Sequence, residues 1–321
     1  MKYEGALESN KWSFEKINYL LRPQKQVERK LIIETLQCLR KKFQIENYLY
    51  VGMGSIFYVD YYMFHKYVGI KKMVSMEKNE DNIARFLFNK PYNFISLLSG
   101  TSTEILPTLD WQNDMLIWLD YDNKISQSIV NDIQIICQNI QSGGIFIITV
   151  DAEPKRFESP NGEKFRTVNE DRLGNFKKEL YPYFPTDISK MDLSLKRFPL
   201  LLRKTITNVI KEELWRREIE YVQIMNFKYR DTSQMYTFCC VFSDTVNKIE
   251  ETGVFELDFV SKDERLIEIN LPIITQREKL HFDKLIPGIA ANLIDFEMDK
   301  SKLDDYEKYY KYYPQYFESL F

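Results

Sequence analysis

The chain has 321 residues, with 44 Lys and Arg against 47 Asp and Glu, a formal net charge of −3 and 44% apolar residues. That balance provides no global field for nucleic acid or an anionic membrane, and the apolar fraction suffices for a packed core. Four cysteines without CxxC spacing and only two histidines disfavour a zinc cage, no apolar run approaches ~18 residues, and residues 1–16 lack a secretory apolar stretch, so a soluble, reduced, cytoplasmic protein is expected.

Residues 11–43 read as a helix. Val27, Leu31, Ile32, Leu36 and Leu39 recur at helical spacing, and Arg22, Lys25, Arg29, Lys30, Arg40, Lys41 and Lys42 are expected to form a solvated basic face. An apolar, β-prone run from Tyr48 to Val51 ends in Gly52-Met53-Gly54-Ser55. A helix from Tyr58 to Val68 stops at Gly69, and a second strand from Lys72 to Met76 is followed by Glu77. Strand, glycine turn, helix, strand and acid open a nucleotide-binding βαβ unit. The glycines let backbone approach a ligand, and the acid accepts hydrogen bonds from ribose hydroxyls. The competing readings are a tight turn and a solvated strand end. Asp60 is expected to complement the dipole of its helix, and His65 to be a packing or surface residue.

A helix over Asn79–Asn89 stops before Pro91, and Tyr92–Leu98 reads as strand three. Gly100-Thr101-Ser102 forms a loop that leads into a short helix. Asp114–Leu119 is strand four, ending in Asp120-Tyr121-Asp122, and Ser126–Ile140 is a helix. Ser142-Gly143-Gly144 turns into strand five, Ile145–Val150, which closes at Asp151. Apolar strands alternating with helices predict a parallel sheet covered on both faces. Such sheets bind ligands beyond the carboxyl ends of their strands, so Asp120 and Asp122 read either as site residues or as caps of the next helix.

Residues 154–199 look irregular and partly helical, and Leu200–Glu220 forms a long helix. Tyr221–Tyr229 and Met235–Phe242 make a hairpin around Arg230-Asp231-Thr232-Ser233. In the tail, Gly253–Val260 and Arg265–Asn270 are expected as short strands, and Thr275 and Glu278 as a capping box that opens a helix. A last helix starts near Ser301 and carries Tyr306, Tyr309, Tyr310 and Tyr313 on one face, widened by Tyr312 and Tyr316. Lys308 and Lys311 are offset by Asp304, Asp305, Glu307 and Glu318, which argues against nucleic acid. The face is expected to pack on protein, either its own domain, a second copy as a homo-oligomer, or a protein partner. The chain divides into an N-terminal helical segment (1–45), a Rossmann-like domain (46–245) and a small, mainly helical C-terminal extension (246–321).

Together the five strands, the Gly52/Gly54 turn, Glu77, the Ser142-Gly143-Gly144 turn and the late hairpin resemble a class I S-adenosylmethionine-dependent methyltransferase over residues 46–245. More narrowly, they resemble bacterial proteins labelled O-methyltransferases. The resemblance implies an α/β fold with a Rossmann-like, seven-stranded sheet, mostly parallel with an antiparallel last strand. It also implies S-adenosylmethionine as cofactor and methyl transfer to the oxygen of an unidentified acceptor. Gly52, Gly54 and Ser55 would hold the methionine part, Glu77 the ribose, and Gly100, Thr101 and Ser102 the adenine. Asp120 and Tyr121 would lie beside the reacting methyl, with Asp120 or Asp122 as the base. Tyr50 stands where the family carries an acid and would offer the cofactor a hydroxyl in place of a carboxylate, and Ile56 stands where the family carries a third glycine. A metal-dependent branch has an Asp after strand four and an Asp-Asn pair after strand five. Asp120 and Asp151 match the acids, but Ala152 replaces the Asn, so no metal is expected. These departures sustain an alternative, a non-catalytic S-adenosylmethionine- or nucleotide-binding interaction subunit of a larger bacterial assembly.

Overall fold

A computed structural model of the protein describes residues 21–159 and 167–314. The expected helical residues before Leu21, and Tyr316 and Glu318, lie outside them. Helix α1 (Pro23–Leu39) precedes β1 (Leu49–Met53), α2 (Val59–Val68), β2 (Lys72–Glu77), α3 (Ile83–Asn89), β3 (Ile95–Ser99) and the single turn α4 (Ser102–Ile105). Then come β4 (Met115–Lys124), α5 (Gln127–Asn139), β5 (Ile145–Asp151), α6 (Val168–Glu179), α7 (Phe198–Leu214) and the hairpin β6 (Glu220–Arg230) and β7 (Gln234–Ser243). The tail contributes α8 (Val246–Glu250), β8 (Ile267–Ile269), α9 (Gln276–Leu285) and α10 (Lys300–Tyr309).

The strands form one sheet in the order β3-β2-β1-β4-β5-β7-β6-β8. Strands β1 to β5 are parallel, and β7 is antiparallel to both β5 and β6. This is the predicted Rossmann-like sheet with its antiparallel seventh strand. An eighth strand is added: β8 pairs in parallel with β6 through Phe227, Lys228 and Tyr229 and covers an otherwise open edge. The chain runs outward from β1 to β3 and then crosses back to β4. The carboxyl ends of β1 and β4 therefore flank a topological switch point, where an open sheet leaves a crevice.

One core lies between the sheet and α1 and α2, through Leu31, Ile32, Leu36, Phe64 and Trp118. The other lies beneath α5 and α7, through Ile129, Ile133, Ile136, Leu202 and Ile206. A satellite cluster joins α9 to α10 through Phe282, Leu303 and Tyr306. The tyrosine face docks on its own chain. The Tyr309 hydroxyl donates to the Glu268 carbonyl at 2.7 Å and that of Tyr313 to the Pro272 carbonyl at 2.9 Å, while Tyr312 bonds Glu34 of α1.

Several boundaries differ from the sequence reading. Strand β3 begins only at Ile95, because Tyr92 and Phe94 stack on one another beside His65, whose Nδ1 sits 2.9 Å from the Ile70 carbonyl. Strand β4 continues through Asp120, Tyr121 and Asp122 to Lys124. Helix α7 ends at Leu214, and Glu220 already belongs to β6. Residues 253–260 are not a strand: Val254, Phe259 and Val260 pack into the core without a strand partner among the described residues. The Thr275–Glu278 capping box forms as expected, whereas α10 starts at Lys300 after Asp299, without a side-chain cap.

Candidate functional site

A cleft of about 870 Å³ opens at the carboxyl ends of β1, β2, β3 and β4. Tyr50, Gly54, Ser55, Glu77, Gly100, Thr101, Ser102, Asp120, Tyr121 and Asp122 all line it, and Gly52 does not. The two glycines differ in what they accommodate. A Cβ on Gly52 would stand 2.3 Å from the Tyr50 hydroxyl and 3.0 Å from that of Tyr61, so Gly52 makes room for tyrosines. A Cβ on Gly54 would stand 2.8 Å from Glu77 Oε2 and 2.9 Å from the Met76 carbonyl. Only a bare α-carbon lets β1 pass this close to the end of β2.

Glu77 is buried, and its Oε1 accepts the backbone N–H of Asn79 at 2.8 Å. Burial pushes its carboxyl above the usual value. The Gly100 N–H bonds the Glu77 carbonyl at 2.9 Å, and Gly100 holds φ +143°, which suits a residue without a side chain. Thr101 caps α4 in a reciprocal box with Glu104, so its hydroxyl is engaged in the turn.

Side chains alternate along β4. Trp118 packs in the core beneath α1, and Leu119 and Tyr121 in the core beneath α5. The Tyr121 hydroxyl donates to Asp132 Oδ2 at 2.5 Å, Ser102 Oγ donates to the same oxygen at 2.5 Å, and Thr103 Oγ1 donates to Oδ1 at 2.7 Å. Burial, then the Asp132 charge, pushes the Tyr121 hydroxyl well up, so it stays protonated. Sequence reasoning missed Asp132. Its signal was present: it is a carboxylate on the same buried side of α5 as Ile129, Ile133 and Ile136.

The other omission is larger. The basic face of α1 is not solvated at Arg22, Lys25 and Arg29, which are 7%, 0% and 3% exposed. Each meets a carboxylate from elsewhere in the fold. Lys25 Nζ lies 2.8 Å from both Glu28 Oε2 and Asp120 Oδ1, and 4.5 Å from the Trp118 ring centre. Arg29 Nε is 2.5 Å from Asp60 Oδ1, and Arg22 Nε is 3.6 Å from Asp231 Oδ2. Asp231, at the hairpin tip, also accepts the backbone N–H groups of Gln24 at 3.0 Å and Lys25 at 3.1 Å, capping α1 from across the molecule. Of the expected solvated face, Arg40, Lys41 and Lys42 are exposed.

A directed chain of hydrogen bonds continues below Lys25. Trp118 Nε1 donates to Thr149 Oγ1 at 3.1 Å, Thr149 lies 2.8 Å from Thr237, and Thr237 donates to Glu28. Each hydroxyl has one proton, so Thr149 donates to Thr237. Burial alone would raise the Asp120 carboxyl. The charges of Lys25, Arg22 and Arg29 outweigh it and hold Asp120 below its ordinary value. Asp120 is therefore a stable anion and a poor proton acceptor. Asp122 is exposed at the cleft.

Asp151 is tied down at the end of β5. Its Oδ2 is 2.9 Å from Arg156 Nε, and its Oδ1 accepts the Glu153 N–H at 2.7 Å. Among the described residues, no three His, Cys, Asp or Glu side chains converge to hold a metal ion.

A family model described as "Putative O-methyltransferase" matches residues 17–321. No curated protein matches the sequence. Among solved structures, the complex of Trm1 from Pyrococcus horikoshii with S-adenosyl-L-methionine aligns with a TM-score of 0.47 at 10% identity, over 72% of this chain and 58% of that one. Spermidine synthase from Thermotoga maritima aligns with a TM-score of 0.39 at 10% identity, over 76% and 68%. The N-methyltransferase NodS from Bradyrhizobium japonicum WM9 gives 0.37 at 9% identity, over 68% and 97%. The chain thus spans little more than half of Trm1.

Proposed function

The chain belongs to the O-methyltransferase family whose model it matches over residues 17–321, and from that premise we propose that the cleft binds S-adenosylmethionine and directs its methyl group to an oxygen of an acceptor. The observation that carries this reading is the contact between Gly54 and Glu77 at the switch point of the sheet. A bare α-carbon ends β1, a buried carboxylate ends β2, and both face one cleft.

The residues present fit such a cofactor. Gly54 leaves no side chain at the end of β1. Glu77 offers a carboxylate to ribose hydroxyls, and the turn at Gly100 to Ser102 lies on the cleft wall beside Tyr121. When bound, the cofactor supplies a methyl group already activated on a sulfonium. The protein then has to hold the partners in line and exclude water. Asp120, ionised beside Lys25, contributes fixed negative charge rather than a proton-accepting group. Asp122, exposed at the same cleft, is the residue we assign to take the proton of an acceptor hydroxyl. This narrows the pair of candidate bases to one.

Calorimetric titration with S-adenosylmethionine and S-adenosylhomocysteine tests the reading. Saturable binding is expected, and no heat at millimolar ligand would remove it. Where binding is present, Asp122→Asn should depress methyl transfer to a hydroxyl acceptor while leaving cofactor affinity within about twofold, since a general base contributes about 10²–10⁴-fold to rate. The second reading, a binding subunit without transfer, is favoured by the engagement of Asp120 with Lys25. Tight binding with no transfer across a panel of hydroxyl acceptors would select it.

The four cysteines are unpaired, and no helix among the described residues is long and apolar enough to cross a membrane. We propose a reducing, cytoplasmic site of action, with which the four free thiols agree. We read residues 246–314 as a brace that completes the sheet edge and buttresses α1. The hydroxyls of Tyr309, Tyr312 and Tyr313 are engaged within the chain, which argues against an oligomer contact through that face.

A further inference from the structure

The glycine turn provides no carboxylate for an ammonium group. Tyr50 occupies that position, and its ring packs edge-on against Tyr61 and Phe64, with centroids 5.0 and 4.7 Å away. Two charged side chains line the cleft beside it. Arg29 enters from α1 and Asp60 from the first turn of α2, paired at 2.5 Å through Nε and Oδ1. Arg29 is 3% exposed, and its Nη1 has no hydrogen-bond partner among the described residues.

A buried guanidinium with an unmet donor is costly unless something else receives it. Guanidinium presents paired donors that match a carboxylate. Asp60 keeps 16% of its side chain exposed, and its charge suits an ammonium group. The two lie side by side with opposite signs, as the two charges of an α-amino acid do.

We propose that Arg29 and Asp60 form a clamp for an α-amino acid zwitterion, the guanidinium taking the carboxylate and Asp60 the ammonium. The proposal rests on the reading of the cleft as an S-adenosylmethionine site and assigns the amino acid end of that ligand to these residues. It makes α1 part of the binding site. It also replaces the missing acid at Tyr50 with one ten positions later, on the following helix. The clamp selects nucleosides that carry a complete amino acid end over truncated ones.

The test is a calorimetric titration of the full chain with three probes. S-adenosylhomocysteine has both charges, its decarboxylated analogue has only the amine, and 5′-methylthioadenosine has neither. Affinity should fall about tenfold to a hundredfold at each truncation, the weight of a charge-assisted hydrogen bond. Arg29→Lys keeps the charge but removes the paired donors. It should weaken S-adenosylhomocysteine and leave 5′-methylthioadenosine unchanged. Asp60→Asn should weaken the two amine-bearing probes and spare the third. The retained 5′-methylthioadenosine affinity shows that a variant is folded. Should a variant not fold, the wild-type comparison decides alone.

Equal affinity of the wild type for S-adenosylhomocysteine and its decarboxylated analogue would overturn the clamp while the cofactor reading stands. So would an Arg29→Lys variant that weakens all three probes alike, which marks a purely structural ion pair. If the wild type binds none of the three, the cofactor reading falls and the clamp falls with it.

Discussion

Replacing Lys25 with methionine removes one ammonium and keeps most of the side-chain volume. Its Nζ is the shared partner of Glu28 and Asp120, each at 2.8 Å, and the lysine is fully buried. Without it, two carboxylates face one another under the cleft. Removing one partner from a buried pair costs about 3–5 kcal/mol. That is a large part of the ~5–15 kcal/mol that holds a domain folded. At about 2.1 cal/mol/K of unfolding entropy per residue, each kcal/mol is worth about 1.5 °C in a chain of 321 residues, so Lys25→Met should lower the melting temperature by roughly 4–8 °C at pH 7.

The pH dependence gives the signature. In the wild type, Asp120 sits below its ordinary value of about 3.9, so its stabilising contribution is complete above that value and is lost as pH falls through the lowered one. In the variant, burial is no longer outweighed by Lys25. The Asp120 value rises, and the carboxylate takes up a proton at milder acidity. The deficit should therefore narrow between pH 7 and pH 5. Adding Asp120→Asn should recover part of the loss, which a double-mutant cycle in thermal melts would read as coupling. A variant that melts within about 2 °C of wild type, or a deficit that does not change with pH, would refute the buried-bridge argument.

Four further outcomes are expected. Glu77→Ala should weaken S-adenosylhomocysteine about tenfold to a hundredfold without unfolding the chain, and unchanged affinity would leave Glu77 a strand-end residue only. Because burial raises the Glu77 carboxyl and a ribose hydroxyl prefers its ionised form, wild-type affinity should fall as pH drops through that raised value, at a less acidic pH than for an ordinary glutamate, and Glu77→Ala should abolish this dependence. Gly54→Ala places a methyl group 2.8 Å from Glu77 Oε2, so melts should show a loss of about 1–3 kcal/mol and titration a weaker ligand, whereas wild-type behaviour in both would remove the close-approach argument. Tyr309→Ala deletes a buried ring and its bond to the Glu268 carbonyl, and a loss below about 1 kcal/mol in urea unfolding would show that α10 does not brace the sheet.

The first five strands and their order of appearance were legible in the sequence, because each is a short apolar run bounded by its own turn chemistry. Gly54, Glu77, Ser102, Tyr121 and Asp122 were legible as cleft residues for the same reason: a parallel sheet brings the ends of consecutive strands to one side. Strand β8 is only three residues long, and its pairing depends on the open edge of β6, so nothing local announces it. Residues 253–260 have strand-like composition but no edge to join. The role of α1 lay beyond local reading altogether. Lysines and arginines on a helix face imply solvent unless a partner is known, and the partners here are distant: Asp120 is 95 positions from Lys25, and Asp60 is 31 from Arg29. Apolar periodicity is a local property, and it determined the sheet. Whether a charge is buried depends on which opposite charge the completed fold places beside it, and that only the tertiary structure decided.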